Sequence, residues 1–429
     1  MHMTSAAILF GLLFLLLALC VPIGYAIGLS CCGLALLTGA CDLSAIPAKM
    51  ITGNDSFIFL AVPMFTFAGY LMEAGSISER LINWVNKVFG RVPGSMGAVA
   101  IITCAIFAAL TGSGAATTAA VGAIMYPLMR RAEYSEETAS GIIASGGVLG
   151  PVIPPSVPMI IYGSAMGVSI SDMFLGGVIP GLLIAASFLI FNTWYAVKHK
   201  LPRNMTKYTV VDILKATWHS LGVLLLPVII LGGIYSGLFT PTEAAAVAIV
   251  YSSALMIAYK RFSIQRYFQA MKRTAATTGV ILLIVAISNA FAFLLTKERI
   301  PAKLTETVVP LLGNAYVYLA VVIIIFLIAG ALMDTAPALL ILAPILVPIG
   351  VEFGLSELHL GVLMCIIMIC GLITPPFGLN LFTISSTAGV SFEQATRGAL
   401  PMIICCIIVC ILCAYIPELI TFLPAAVGG

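Results

Sequence analysis

Apolar runs of about 18–25 residues recur from one end of the chain to the other, each long enough to cross a hydrocarbon layer of roughly 30 Å as a helix. None shows the alternation of apolar and polar positions, in segments of about ten, that marks the strands of a membrane barrel. The pattern predicts an all-α integral membrane protein with full spans near 5–22, 23–42, 52–75, 136–167, 172–198, 216–238, 239–259, 275–296, 356–387 and 392–416. Ten crossings leave both termini outside.

Charge changes the reading of two further apolar stretches. Basic residues gather at Arg80/Lys87/Arg91, Arg130-Arg131, Lys198/Lys200/Arg203/Lys207 and Lys260-Arg261/Arg266/Lys272-Arg273, which the positive-inside rule places in the cytoplasm. Trp84, Trp194 and Trp218 lie beside them, as interfacial anchors do. The stretch Pro93 to Met129 has basic residues at both ends and is split by Thr111-Gly112-Ser113-Gly114. A single crossing cannot join two cytoplasmic ends, whereas a re-entrant hairpin can if its tip is buried in protein or faces a watery cavity. A second such stretch, about 305–352, breaks at Met333-Asp334-Thr335-Ala336-Pro337 and begins and ends outside.

The two hairpins are related by an internal repeat. Ser113 and Asp334 stand 221 positions apart (334 − 113), and the same shift carries Pro127 to Pro348, Glu136 to Glu357 and Pro154-Pro155 to Pro375-Pro376. After one added residue the register continues from Val168-Ser169 to Val390-Ser391. Because one copy starts in the cytoplasm and the other outside, the expectation is two inverted repeats, an architecture of many secondary transporters. In each copy the helix after the hairpin is interrupted by prolines, in GGVLGPVIPPSVPMIIYGSAMG and in CGLITPPFGLNLFTISSTAGV. Proline removes a backbone donor and obstructs the preceding turn, so both helices are expected to unwind at mid-membrane and expose ion-binding carbonyls and half-helix ends. A lone motif of this kind would read as a simple proline kink.

Composition removes other classes. With 61% hydrophobic and 9% charged residues, no soluble core could hide the apolar surface, and the net charge of +3 is scattered over span ends, unlike a nucleic-acid-binding patch. The first run lacks a basic leader and carries Leu19 before Cys20, so it reads as a retained span. The eleven cysteines lie in apolar segments and read as small hydrophobes, with no disulfide implied. There is no P-loop and no HExxH zinc motif. His2, His199, His219 and His359 fall near span boundaries, TGSG lacks the leading glycine of an intramembrane serine protease motif, and Asp334 has no second intramembrane Asp beside it. The chain is not read as an enzyme. A channel is disfavoured because selectivity filters arise from rings in oligomers, while this chain carries two unequal copies within itself.

Asp334 is the one ionisable residue at a hairpin tip, where a charge costs about 2.5–3.5 kcal/mol on insertion scales. It calls for a partner such as a coupling cation held with Thr335 and backbone oxygens; the alternative is a carboxylate that caps the second limb. Ser113 is its counterpart, in a Gly-Ser-Gly that also suits a tight helix contact, and Asn380 and Ser156 beside the proline breaks are candidate oxygen ligands.

GVLGPVIPPSVPMIIYG, GLFTPTEAAA at 237–246 and GLITPPFGLNLF, in this order, resemble the large membrane subunit of TRAP transporters, the tripartite ATP-independent periplasmic family. The likeness covers essentially the whole chain. It implies a bacterial inner-membrane subunit that imports organic anions, usually carboxylates such as C4-dicarboxylates or sialic acid, driven by a sodium gradient and supplied by a periplasmic binding protein. It also implies a small four-helix membrane subunit, expected as a separate chain because the first span begins a few residues after Met1. A single-component carboxylate carrier is the alternative, and the choice between sodium and protons stays open. The fold implied is an elevator, with scaffold helices at 1–75 and 201–296 and transport-domain halves at 76–200 and 297–429. The stretches 77–90 and 262–274 would be linking arms. Cation positions carried over are Gly112, Ser113, Gly114, Asp334, Thr335, Gly378 and Asn380; substrate positions are Ser113, Pro155, Ser156 and Asp334. Glu243, after a Pro-Thr helix start, is explained by stabilisation of the helix N-terminus.

Overall fold

A computed structural model describes residues 2–75, 77–90, 92, 94–201 and 209–427. Of the positions used above, Arg91, Pro93, Arg203, Lys207 and the side chain of His2 lie outside the described residues. Helix is the regular structure throughout the described part. The first half holds α1 (His2–Ala18), α2 (Ile23–Thr38), α3 (Ala45–Asn54), a 3-10 turn (Phe57–Leu60), α4 (Ala61–Ala74) and the amphipathic α5 (Ile77–Phe89). It continues with the hairpin limbs α6 (Ser95–Thr111) and α7 (Gly114–Arg131), the half-helices α8 (Glu136–Gly147) and α9 (Val157–Met166), and α10 (Ile170–Lys198). The second half holds α11 (Val210–Tyr235), α12 (Pro241–Ala258), α13 (Ile264–Lys297) and α14 (Ile300–Leu312). Its hairpin is α15 (Ala315–Leu332) and α16 (Thr335–Glu352), followed by α17 (Glu357–Gly371), α18 (Leu379–Ala388), α19 (Phe392–Tyr415) and α20 (Glu418–Val427).

Helix boundaries follow the shift read from the sequence. Limbs α7 and α16 each have 18 residues and start 221 positions apart (335 − 114). The Pro154-Pro155 and Pro375-Pro376 bonds at the two breaks are both cis. Two helix boundaries differ from the expectation. The stretch 262–274 is continuous with the following span in α13, whose 34 residues extend about 50 Å. The shift instead pairs α5 with α14. The second hairpin starts at Ala315, not near 305, because Gly313 ends α14 and Asn314 caps α15, accepting the Val317 amide at 2.9 Å. Eight helices among the described residues are long and apolar enough to cross a membrane; they include both limbs of the second hairpin and omit the 17- and 16-residue α1 and α2 and the broken pairs.

Small and polar residues fix the packing, since lipid supplies no hydrophobic drive between helices. Gly141 of α8 and Gly398 of α19 meet backbone to backbone, and a Cβ on Gly398 would overlap the Glu137 carbonyl. Gln394 Nε2 on α19 donates to Glu136 Oε2 at 3.2 Å. At the base of the first hairpin the Tyr134 hydroxyl lies 2.9 Å from the Gly94 carbonyl and 3.0 Å from Asn192 Oδ1 of α10, and it accepts the Gly97 amide at 3.2 Å. Burial pushes the Tyr134 phenol up to about 12, so it stays a neutral donor. Thr240 and Glu243 form a reciprocal cap on α12, with the Thr240 amide donating to Glu243 Oε2 at 2.8 Å. The eleven cysteines are unbridged.

Candidate functional site

Helix α6 stops because Gly112 turns left-handed (φ 60°, ψ 10°), which a glycine adopts freely; Ser113 is then extended and caps α7 by accepting the Ala116 amide at 3.4 Å. Hydroxyls close the turn: Thr117 Oγ1 donates to the Ser113 carbonyl at 2.8 Å and lies 3.0 Å from Thr111 Oγ1. The tip rests on the break in the following helix. A Cβ on Gly112 would stand 2.7 Å from the Pro155 carbonyl oxygen, and one on Gly150 would stand 2.7 Å from the Ser113 backbone. Ser156 is fully buried; its hydroxyl donates to the Pro151 carbonyl at 2.5 Å and accepts the Met159 amide at 3.4 Å, so it caps α9.

In the second copy Met333 and Asp334 are extended, and Asp334 Oδ1 accepts the Thr335 amide at 2.7 Å. The capping contact is therefore present, with the immediately adjacent amide. This tip too is held by its break: the Phe377 amide donates to the Ala331 carbonyl at 3.2 Å, and Gly330 packs against Gly371. Gly378 is left-handed (φ 46°) and opens α18.

Asn380 departs from the expected grouping. It stands not with Asp334 but against the first copy: Nδ2 donates to the Ala144 carbonyl at 3.1 Å, and a Cβ on Gly114 would come within 3.0 Å of Oδ1. Its side chain is fully buried and Oδ1 has no protein partner. A buried amide oxygen left unpaired costs about 1–3 kcal/mol, which makes it an available ligand.

A cavity of about 380 Å³, within the usual range for small-molecule sites, lies where the two tips meet α4 and α13. Gly112, Ser113, Gly114, Asp334 and Thr335 line it; Pro155, Ser156, Gly378 and Asn380 do not. Thr66 and Tyr70 of α4, Thr111 of the first tip, Arg273 and Thr277 of α13 and Thr383 of α18 complete its polar wall, and none of them is a site residue in the sequence reading. In the sequence Arg273 belongs to the basic cluster expected at the cytoplasmic face. The spacing Arg266, Arg273, Thr277, Ile281, which lies on one face of a continuous helix, was the available signal. Hydroxyls and carbonyls suit a hard cation, while hydroxyl donors and a guanidinium suit a carboxylate. Among the described residues no three His, Cys, Asp or Glu side chains converge on a metal-binding point.

The sequence matches the family profile described as "Tripartite ATP-independent periplasmic transporter, DctM component" over residues 10–419. It is 38% identical to the 2,3-diketo-L-gulonate TRAP transporter large permease protein YiaN of Escherichia coli, over 94% of this chain and 96% of that protein. It is also 38% identical to the C4-dicarboxylate TRAP transporter large permease protein DctM of Pseudomonas aeruginosa, over 94% of each. The isethionate TRAP transporter permease protein DctMQ of Oleidesulfovibrio alaskensis is 33% identical over 97% of this chain and 66% of that longer protein. Among solved structures, the fold is similar to the YdaH transporter of Alcanivorax borkumensis, with a TM-score of 0.61 at 14% identity, covering 86% of this chain and 87% of that one.

Proposed function

Because this chain belongs to the large permease subunits of the TRAP transporters, and is thus a multi-pass transport protein of the bacterial inner membrane and not an enzyme, we propose that it imports an organic acid anion, a carboxylate, together with sodium. The cavity at the hairpin tips is the passage. The observation that carries this reading is that one cavity is lined by a carboxylate on a tip, Asp334, a guanidinium on α13, Arg273, and several threonine hydroxyls. A cation and an anion have complementary walls there.

In this reading the first cation group is the backbone and hydroxyl of Gly112, Ser113 and Gly114 with Asn380 Oδ1. The second is Asp334 and Thr335 at the other tip with Gly378. Tips and breaks form the moving part, and α1–α4 with α11–α13 form the scaffold. The family is tripartite, so the chain works with a small permease subunit and a substrate-binding protein, which we assign to the periplasm. The carboxylate class follows from the 2,3-diketogulonate and C4-dicarboxylate named in two relatives.

The test is uptake into proteoliposomes containing this chain, its small partner and its binding protein, with radiolabelled succinate or 2,3-diketogulonate. Uptake should need all three proteins and an inward sodium gradient. Equal uptake by this chain alone would favour a single-component carrier, and uptake driven by a proton gradient without sodium would remove the sodium assignment.

A further inference from the structure

The charged group that lines the cavity from α13 is already occupied by a carboxylate of the chain itself. Arg273 Nη1 donates to Glu73 Oε1 of α4 at 2.7 Å, and its guanidinium carbon lies 4.5 Å from the centre of the Tyr70 ring. Tyr70 in turn places its hydroxyl 3.0 Å from Thr277 Oγ1, so the aromatic face under the guanidinium is itself held. The other carboxylate oxygen, Glu73 Oε2, is buried without a partner. The pair makes a single contact, although a guanidinium has five N–H donors and a carboxylate can accept two parallel ones.

Position adds a second observation. A smaller cavity of about 280 Å³ adjoins the first, lined by Tyr70, Glu73, Arg266, Gln269 and Arg273. Tyr70 and Arg273 belong to both walls. They stand between the space at the hairpin tips and the end of α13 where Arg261, Arg266 and Lys272 gather, the cytoplasmic end by the positive-inside rule. Arg266 and Arg273 are seven residues apart on one helix face, two turns along the route.

We propose that Arg273 is the release-side receptor for the substrate carboxylate and that Glu73 is its resident substitute. The solute carboxylate displaces Glu73 from the Tyr70-backed guanidinium as it leaves the tips, and Glu73 returns to Arg273 and drives the solute toward Arg266. Such an exchange keeps Arg273 paired in both states, so the empty carrier does not leave an unpaired cation in the cavity wall. The inference rests on the organic-anion reading above; Asp334 and the sodium groups take no part in it.

The probe is ligand-dependent thermal stabilisation of the purified complex of this chain with its small subunit, measured with succinate, 2,3-diketogulonate and isethionate and, separately, with sodium. For the carboxylate that stabilises the wild type most, with the sulfonate isethionate as the comparison, Arg273→Gln should raise the half-saturating concentration at least about tenfold, the loss expected on removing a charged hydrogen-bond partner. Arg273→Lys should fall between the two. Glu73→Gln should lower the half-saturating concentration, because the competitor is gone, while slowing net uptake in proteoliposomes. Sodium stabilisation should be the same in all three variants, which also reports that they are folded. An unchanged anion midpoint in Arg273→Gln, or a weakening in Glu73→Gln equal to that in Arg273→Gln, would overturn the exchange and leave a structural ion pair. If neither succinate nor 2,3-diketogulonate stabilises the wild type, the carboxylate reading falls and this inference falls with it.

Discussion

Gly112→Ala isolates what the first tip owes to its contact with the broken helix. Two costs are separable. An L-residue held left-handed costs about 1–2 kcal/mol. The new methyl would also stand 2.7 Å from the Pro155 carbonyl oxygen, where ordinary contact begins at 3.4 Å, so tip or break must retreat by about 0.7 Å (3.4 − 2.7). Overpacking of that kind costs a further 1–3 kcal/mol or so. Gly167→Ala is the control: its φ of +73° imposes the same conformational cost, but nothing lies within 4 Å of the added methyl. The purified complex should therefore lose clearly more thermal stability from Gly112→Ala than from Gly167→Ala. Uptake should separate further, because a shift of this size moves Ser113, which lines the cavity, and misplacements near 1 Å can cost about a hundredfold. Equal melting temperatures and equal uptake for the two variants would refute the claim that the tip is seated on Pro155.

Asp334→Asn should leave expression and melting temperature nearly unchanged, since Asn caps a helix comparably and a costly membrane charge is removed. The sodium concentration for half-maximal uptake should nevertheless rise about tenfold or more, with Ser113→Ala a milder version; normal sodium dependence would leave Asp334 as a cap only. Gly398→Ala should reduce the yield and melting temperature of the purified protein by forcing α8 and α19 apart at the Glu137 carbonyl, whereas Gly279→Ala, with open space around it, should not. Thermal-scan fluorimetry on the two proteins checks this.

The sequence located both hairpin tips to the residue because their signals are local. Gly112 and the extended Ser113 and Asp334 stop one helix and cap the next wherever they stand, and α7 and α16 begin one residue after the caps. The start of the second hairpin was equally local, in Gly313-Asn314, but was passed over because the apolar run continues across it. Arg273 and the neighbours of Asn380 were not legible in the same way. The basic cluster around Arg273 has the pattern of a cytoplasmic flank, and only the continuity of α13 with its packing against α4 turns that one side chain into a cavity wall. Counted from the caps of α9 and α18, the position matching Asn380 in the first copy is Pro158, so the repeat that revealed the tips gave no hint that Asn380 would cross to the other copy.

The distribution of close contacts bears on how such a chain could move its cargo. Each tip is locked to its own break, the first through Gly112 on Pro155 and Gly150 on Ser113, the second through Phe377 on Ala331 and Gly330 on Gly371. Asn380 ties the copies together at Ala144 and Gly114, and α8 and α19 meet through paired glycines. Gly112, Ser113, Gly114 and Asn380 take part in these contacts directly, and Asp334, Thr335 and Gly378 follow within a few residues of Ala331 and Phe377, so a displacement that keeps the contacts would carry all of these residues together. The cavity sits at the edge of the set, where α4 and α13 present threonines, Tyr70 and an exchangeable ion pair. Polar side chains there can trade partners at little cost, as a sliding boundary requires, whereas the glycine contacts on the other side have no alternative partner of the same fit. An elevator movement would require such a division, and the Arg273–Glu73 pair of the proposed exchange lies on the side of it formed by α4 and α13.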